Sequence, residues 1–312
     1  MTDRFRQALR DLGVPDDAEL GIAVSGGPDS LALLLLAHAE RPGRVKAATV
    51  DHQLRPESRA EAAYVAEVCA ARSIPHATLA VQVPGSGQAA ARAARYAALA
   101  RWCSDDGLNW LATGHHADDQ AETIVMRLNR GSGLAGLAGV RAGRRLSSGV
   151  TLVRPLLAYL RDALALVVAG AGLQPVQDPS NKDPRHDRTA ARALLARGGL
   201  DPERIARSAA HLAEAEEALA WAADRLAAER IDGVSLDPEG IPPELLRRLV
   251  HRMLEMRGAS PSGPQLSRFV ACLQAGRSAT LGPVLARPGH RWHFEAAPAR
   301  RRTADRGAAI AG

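Results

Sequence analysis

Lysine is nearly absent from this 312-residue chain: only Lys46 and Lys182 occur among its 40 basic residues, and the rest are arginine. Alanine is also abundant, so the arginine bias reads first as base composition. Cysteine is scarce as well. Cys69, Cys103 and Cys272 are odd in number and widely spaced, which excludes a disulfide framework and a cysteine zinc site and fits a reducing compartment. Aromatic residues make up 3%, so few platforms exist on which nucleic-acid bases could stack. Long apolar runs are missing. The longest uncharged one, Ala163 to Leu173, falls short of the roughly 20 residues that a membrane helix needs. The opening segment, MTDRFRQALRDLG, is charged throughout and has no apolar signal core, so the expected location is the cytoplasm, with no membrane partner.

What remains is a soluble globular composition, 46% hydrophobic and 24% charged, with a length that suits two domains. The net charge of +6 is unevenly spread. Residues 1–140 hold 14 basic and 16 acidic side chains, whereas residues 141–200 hold 10 and 4. A surplus concentrated in one segment points to a polyanionic partner.

The first half alternates short apolar runs with helical spacing. Strands are expected at Leu20–Val24, Arg44–Val50, His76–Val83 and Asn109–Thr113. Helices are expected at Ser30–Ala39, Glu57–Arg72, Gln88–Cys103 and Ala117–Asn129. Continuous apolar strands alternating with helices imply an α/β fold, a parallel sheet with helices on both faces. A glycine-rich run, Gly131–Gly143, interrupts the pattern. A short strand at Leu152-Val153 and a helix at Tyr159–Ala169 would complete the domain. The Gly198-Gly199 break is the expected boundary, giving domains of 1–199 and 200–300. The second is smaller and mainly helical, with helices at Pro202–Arg230, Leu245–Met256 and Pro264–Gln274. A basic tail, 301–312, follows.

The first chemical signal is Ser25-Gly26-Gly27-Pro28-Asp29-Ser30, between an apolar strand and a helix. Two glycines let the backbone approach a bulky anion, the helix N-terminus offers free N–H groups, and two hydroxyls add donors. Such a loop is built to cradle phosphate. Asp29 makes sense there if Mg²⁺ bridges it to the phosphates. The plainer reading is a strand-turn-helix connection capped by Asp29 and Ser30. The loop is neither a Walker A sequence nor G-x-G-x-x-G.

Further motifs follow in order: Val50-Asp51-His52-Gln53-Leu54-Arg55, Ala91-Arg92-Ala93-Ala94-Arg95-Tyr96, and Thr113-Gly114-His115-His116-Ala117-Asp118-Asp119-Gln120-Ala121-Glu122-Thr123. Arg130-Gly131-Ser132-Gly133, Arg154-Pro155-Leu156-Leu157, Asp178-Pro179-Ser180-Asn181 and Arg188 come after them. Asp119 and Glu122, at i and i+3, share a helix face, and so do Arg92 and Arg95. A carboxylate pair can hold an ammonium and accept its proton; acidic residues in a first helical turn also suit the helix dipole. His115, His116 and the following aspartates could suggest a metal cluster, but adjacent histidines at a strand end point apart, so one is expected to pack and the other to line a cleft. Asp51 ends a strand on the edge where ligands bind in open α/β sheets. Arg130, Arg141, Arg144 and Arg145 flank the glycine run, and with Arg192 they suit phosphate-backbone contacts.

SGGPDS resembles the SGGxDS loop of the PP-loop ATP-pyrophosphatase superfamily, whose members cleave ATP between the α and β phosphates. The full set resembles the bacterial tRNA(Ile)-lysidine synthases over residues 18–195, and more loosely to about residue 300 through Gly276-Arg277-Ser278-Ala279-Thr280-Leu281-Gly282 and Arg300–Arg302. The resemblance implies that ATP adenylates the C2 oxygen of the wobble cytidine in tRNA(Ile) with a CAU anticodon, and that free L-lysine then displaces AMP. It implies ATP contacts for Ser25, Gly26, Gly27, Pro28, Asp29, Ser30 and Asp51, with Mg²⁺ at Asp29. It places lysine at Asp119 and Glu122, and it implies charge stabilisation by Arg95 and Arg188. Many family members are dimers. Two departures stand out. The Thr189-Ala190-Ala191 run replaces the family's usual residues between Arg188 and Arg192, and the chain ends too early for the further C-terminal domain of longer members. A tRNA thiolase of the same superfamily would want a reactive cysteine, yet there is no CxxC and Cys69 and Cys103 fall in predicted helices. A non-catalytic RNA-binding relative would have no need of intact SGGPDS and DDQAET.

Overall fold

A computed structural model describes residues 1–52, 57–82, 87–147, 149–176 and 187–298. The chain forms two compact units, 1–214 and 215–312. In the first unit the expected strands appear as β1 (Leu20–Ala23), β2 (Val45–Asp51), β3 (His76–Ala80), β4 (Trp110–Ala112) and β6 (Val150–Val153), with β5 (Gly143–Ser147) ahead of the last. The sheet order is β3-β2-β1-β4-β6-β5, parallel throughout except that β5 runs antiparallel to β6.

Ahead of β1 lies α1 (Thr2–Asp11), which the sequence reading missed. The other helices are α2 (Pro28–Glu40), α3 (Glu57–Ala70), α4 (Gln88–Asp105), α5 (Ala117–Asn129), α6 (Leu134–Leu137), α7 (Arg161–Gly170) and α8 (Asp187–Arg197). Helix α2 is apolar nearly all round, and Leu31, Ala32, Leu33 and Leu34 are all fully buried between β1 and the helices α1 and α7. Phe5 and Leu9, one turn apart, fix α1 to this core. Gly21 of β1 has a steric reason: a Cβ there would stand 3.0 Å from the Trp102 ring of α4.

The strand order reverses at β1. Its neighbours β2 and β4 leave the sheet centre in opposite directions, which opens a crevice at the carboxyl ends of β1 and β4. The chain puts its two strongest motifs there: SGGPDS follows β1 and GHHADD follows β4.

The boundary between units falls inside α9 (Pro202–Arg230) rather than at Gly198-Gly199, which instead closes α8. The second unit is helix-rich, with α10 (Pro243–Glu255) and α11 (Gly263–Gln274), as expected. It also holds an antiparallel sheet absent from the sequence reading. Its strands are β7 (Ile231–Asp232), β8 (Ser235–Leu236), β9 (Ala279–Leu281), β10 (Val284–Arg287) and β11 (Trp292–Ala296), in the order β7-β8-β11-β10-β9. Trp292 and Phe294, on the inner face of β11, pack with Leu249, Met253, Phe269 and Val284 into a separate core. The 301–312 tail lies outside the described residues. No helix among the described residues is long and apolar enough to cross a membrane.

Phe294 is fully buried and stacks against Phe269 at 6.4 Å. Phe294→Ala is expected to destabilise the second unit by about 3–5 kcal/mol, measured by urea denaturation. A loss below about 1 kcal/mol would show that this core does not hold the unit together.

Candidate active site

The crevice holds a cavity of about 480 Å³. One wall is the loop after β1. Ser30 Oγ accepts from the Ser25 N–H at 3.1 Å and donates to the Gly27 carbonyl at 3.0 Å, so one hydroxyl folds the loop over the start of α2. Gly26 sits at φ +81°, a backbone region that favours glycine, and its carbonyl accepts from Val176 N–H at 2.9 Å. Pro28 occupies the first turn of α2, where no backbone donor is wanted. Ser25, Gly27, Pro28, Asp29 and Ser30 line the cavity.

The opposite wall is the start of α5, and the motif there divides its labour residue by residue. His116 is completely buried. Its Nε2 lies 3.4 Å from Asp29 and 3.5 Å from Asp119, and its Nδ1 lies 3.4 Å from Asp118. Burial alone would depress its pKa, but the carboxylates of Asp118, Asp29 and Asp119 together outweigh it and push it up to about 9. The contacts to Asp118 and Asp29 are long for hydrogen bonds, yet they contribute most to this rise, ahead of the charge attraction of Asp119. Asp118 is held down at about 2 although burial opposes this; the His116 ring and the Arg161 N–H, 2.9 Å away at the start of α7, favour its charged form. Its task is structural. Asp119 accepts from the His116 N–H at 3.2 Å and also faces the cavity.

His115 is the histidine that lines the cavity. Burial pushes its pKa down to about 2, aided by Arg154, Arg92, Arg188 and Arg95, so it is neutral at any physiological pH. Its Nδ1 meets Thr113 Oγ1 at 3.1 Å. Gln120 pins the glycine-rich run: its amide exchanges hydrogen bonds with the backbone of Val140 at 2.6 and 3.0 Å. Arg127 donates to the carbonyls of Gly136 and Gly139.

Glu122 is 1% exposed and does not line the cavity. Its Oε1 accepts from Arg192 Nε at 2.8 Å and meets Arg161 at 3.5 Å, while Oε2 is buried without a partner. Asp51 is also buried behind the lining and accepts from Ser58 Oγ at 2.6 Å. Arg95 and Arg188 do line the cavity. Arg130 is ion-paired to Asp187 at the exposed surface, and Arg192 to the buried Glu122. Arg144 and Arg145 lie exposed on β5; Arg141 precedes that strand. Gln53 to Arg55 and Asp178 to Asn181 lie outside the described residues.

Several lining residues went unread in the sequence. Ala48, Val50, Leu99 and Val176 form an apolar wall, and Glu61 adds a carboxylate. Tyr96 lines the cavity as well, although nothing in its motif marks the ring for a role. The apolar positions looked like ordinary sheet and helix core, and no local pattern marks Glu61.

Among the described residues no group of three His, Cys, Asp or Glu side chains could hold a metal. Asp29 Oδ1, however, is buried without a hydrogen-bond partner, at the mouth of the phosphate cradle. A single carboxylate beside phosphate oxygens is the donor set that Mg²⁺ takes in nucleotide sites.

A phosphate cradle after the first strand at the switch point of a parallel sheet defines a nucleotide-handling α/β domain. Residues 1–197 match the family profile described as a PP-loop domain, a class that binds ATP. A tRNA(Ile)-lysidine synthase of Zymomonas mobilis subsp. mobilis is 44% identical, over 96% of this chain and 94% of its own. One of Novosphingobium aromaticivorans is 49% identical, over 90% of this chain and 89% of its own. This chain belongs to the tRNA(Ile)-lysidine synthase family. Among solved structures, the U34-tRNA thiolase NcsA from Methanococcus maripaludis, with its 4Fe-4S cluster, superposes with a TM-score of 0.57 at 18% identity, over 68% of this chain and 78% of that one, which is a likeness of fold.

Gly114 is where the two walls touch. A Cβ on it would stand 2.9 Å from the Asp29 carbonyl oxygen and 3.0 Å from its carbon. Gly114→Ala is therefore expected to displace the cradle and weaken ATP binding about tenfold or more while leaving far-UV circular dichroism unchanged. Calorimetric ATP titration checks this; undiminished affinity would refute the close approach.

Proposed function

We propose that this protein joins free L-lysine to C2 of the wobble cytidine of tRNA(Ile) with a CAU anticodon, at the expense of ATP. The observation that carries this reading is the meeting of the phosphate cradle and the acidic start of α5 across one cavity. In the first step the cytidine C2 oxygen attacks the α-phosphorus of ATP. The bond to the bridging oxygen breaks and pyrophosphate leaves. In the second step the lysine ε-amine attacks C2, the C2–O bond breaks, AMP leaves and the nitrogen loses a proton.

In this reading Ser25 and Gly27 hold the leaving pyrophosphate by backbone and hydroxyl donors, while Ser30 and Gly26, which does not itself line the cavity, shape the loop that presents them. The wall of Ala48, Val50 and Leu99 accommodates the adenine. Asp29 would hold Mg²⁺, which neutralises phosphate charge when bound. Arg95 and Arg188 face the α-phosphate and stabilise the charge that develops on it. Asp119, the acid of its helix that lines the cavity, attracts the lysine ammonium and takes its proton. Glu122 acts from behind it and needs Arg192 or Arg161 to release its carboxylate before it can touch lysine directly. Asp51, buried behind the lining, supports the ATP neighbourhood through Ser58. The site of action is the cytoplasm.

A thiolase reading finds no support in the cavity, whose described lining contains no cysteine. Burial pushes Cys69 up to about 11 and, helped by Asp106, Cys103 up to about 12, so neither is a ready thiolate.

With ATP, Mg²⁺ and labelled lysine, the purified protein is expected to label a CAU-anticodon tRNA(Ile) transcript and to release AMP and pyrophosphate. No transfer would refute the proposal. Asp29→Ala is expected to lower adenylation about a hundredfold or more. Glu122→Ala is expected to impair lysine transfer more than adenylation, and equal loss of both would remove Glu122 from the lysine site.

A further inference from the structure

Tyr96 is a buried ring, 7% exposed, gripped by arginines from two directions. From its own helix α4, the Arg92 guanidinium lies 5.0 Å and that of Arg95 5.6 Å from the ring centroid. From strand β5, the Arg144 guanidinium lies 4.9 Å from it. Arg92 also reaches the Tyr96 hydroxyl, at 3.3 Å. Arg154, 4% exposed, is electrostatically coupled to Arg144 and Arg92, and Arg95 to Arg92 and Arg188. Among the described residues none of these arginines is ion-paired to a carboxylate, unlike Arg130, Arg161 and Arg192 nearby.

Packing like charges around one ring without a counter-ion is unfavourable, and one ring's cation–π attraction offsets only part of it. Such a cluster is the signature of a site that an anion completes. The cluster spans the rim of the cavity. Arg92, Arg95, Tyr96 and Arg188 line the cavity, and Arg92 is at the same time exposed. Arg144 does not line it and stands exposed on β5. An anion held between Arg92 and Arg144 would therefore bridge a residue of the cavity lining and one outside it.

We propose that Arg92 and Arg144, oriented by the Tyr96 ring, form an outer phosphate seat that holds a phosphodiester of the RNA strand next to the nucleotide entering the cavity. The inference rests on the RNA substrate of the preceding section. The ring is the positioning element, since two flexible arginines would otherwise lose rotamer freedom on binding. The seat is indifferent to base identity. It supplies affinity and register for the strand, while discrimination arises elsewhere.

The test measures binding of the full-length protein to the CAU-anticodon tRNA(Ile) transcript across a salt series, with ATP affinity measured in parallel. Arg144→Ala and Arg92→Ala are each expected to weaken tRNA binding about tenfold at low salt and to reduce the magnitude of the salt slope by about one. ATP affinity should be unchanged in Arg144→Ala. Arg101→Ala, an exposed arginine on the far part of α4, serves as the charge-matched control and should leave the slope alone. Tyr96→Phe keeps the ring and should retain most of the binding, whereas Tyr96→Leu should lose as much as either arginine variant. Native binding with an unaltered slope in Arg144→Ala would overturn the outer seat and leave the lysidine reading standing. A fall in ATP affinity with tRNA binding intact would assign the cluster to the nucleotide instead. Failure of the native protein to bind the transcript would overturn both readings.

Discussion

The site depends on one buried cation. His116, sealed from water at the first turn of α5, is surrounded by three carboxylates from three directions: Asp29 of the phosphate loop, Asp118, which caps α7, and Asp119, which faces the cavity. Each carboxylate alone would be repelled by the other two. A neutral imidazole would leave their like charges close together. The imidazolium attracts all three carboxylates, and it thereby ties the loop after β1 to the start of α5.

The sheet makes that arrangement possible. Loops that follow β1 and β4 can meet only because the strand order turns at β1. Small side chains then let them approach: Gly114 leaves no Cβ to strike Asp29, and Gly26 takes a backbone angle that other residues resist. The resulting cavity is electrically polar. Its lining carries charges of both signs, the carboxylates Asp29, Asp119 and Glu61 and the guanidiniums Arg92, Arg95 and Arg188, beside a neutral His115. An ATP-dependent ligation of an ammonium-bearing substrate onto a polyanion calls for both.

Much of this was legible in the sequence because α/β topology maps motif order onto place. SGGPDS and GHHADD each follow an apolar strand, so both had to lie on one sheet edge. What escaped was tertiary. No local pattern tells that His116 packs while His115 lines the cleft, or that Glu122 is tied to Arg192 from a helix seventy residues on. The basic surplus of residues 141–200 proved to have three uses. Arg161 and Arg192 neutralise Glu122, Arg188 enters the cavity and Arg144 meets Tyr96. Helix α1 was passed over because its charges mask the Phe5–Leu9 pair. The strands of the second unit were missed because they are only two to five residues long, although the Trp292-His293-Phe294 alternation was a usable sign.

The charge state of His116 can be observed directly. Nitrogen-15 NMR of the imidazole, followed against pH in the protein free of nucleotide and Mg²⁺, reports its protonation. The expected result is a doubly protonated ring through neutral pH that titrates near 9. A ring that is neutral at pH 7.5, or that titrates at or below the ordinary value of about 6.5, would contradict it.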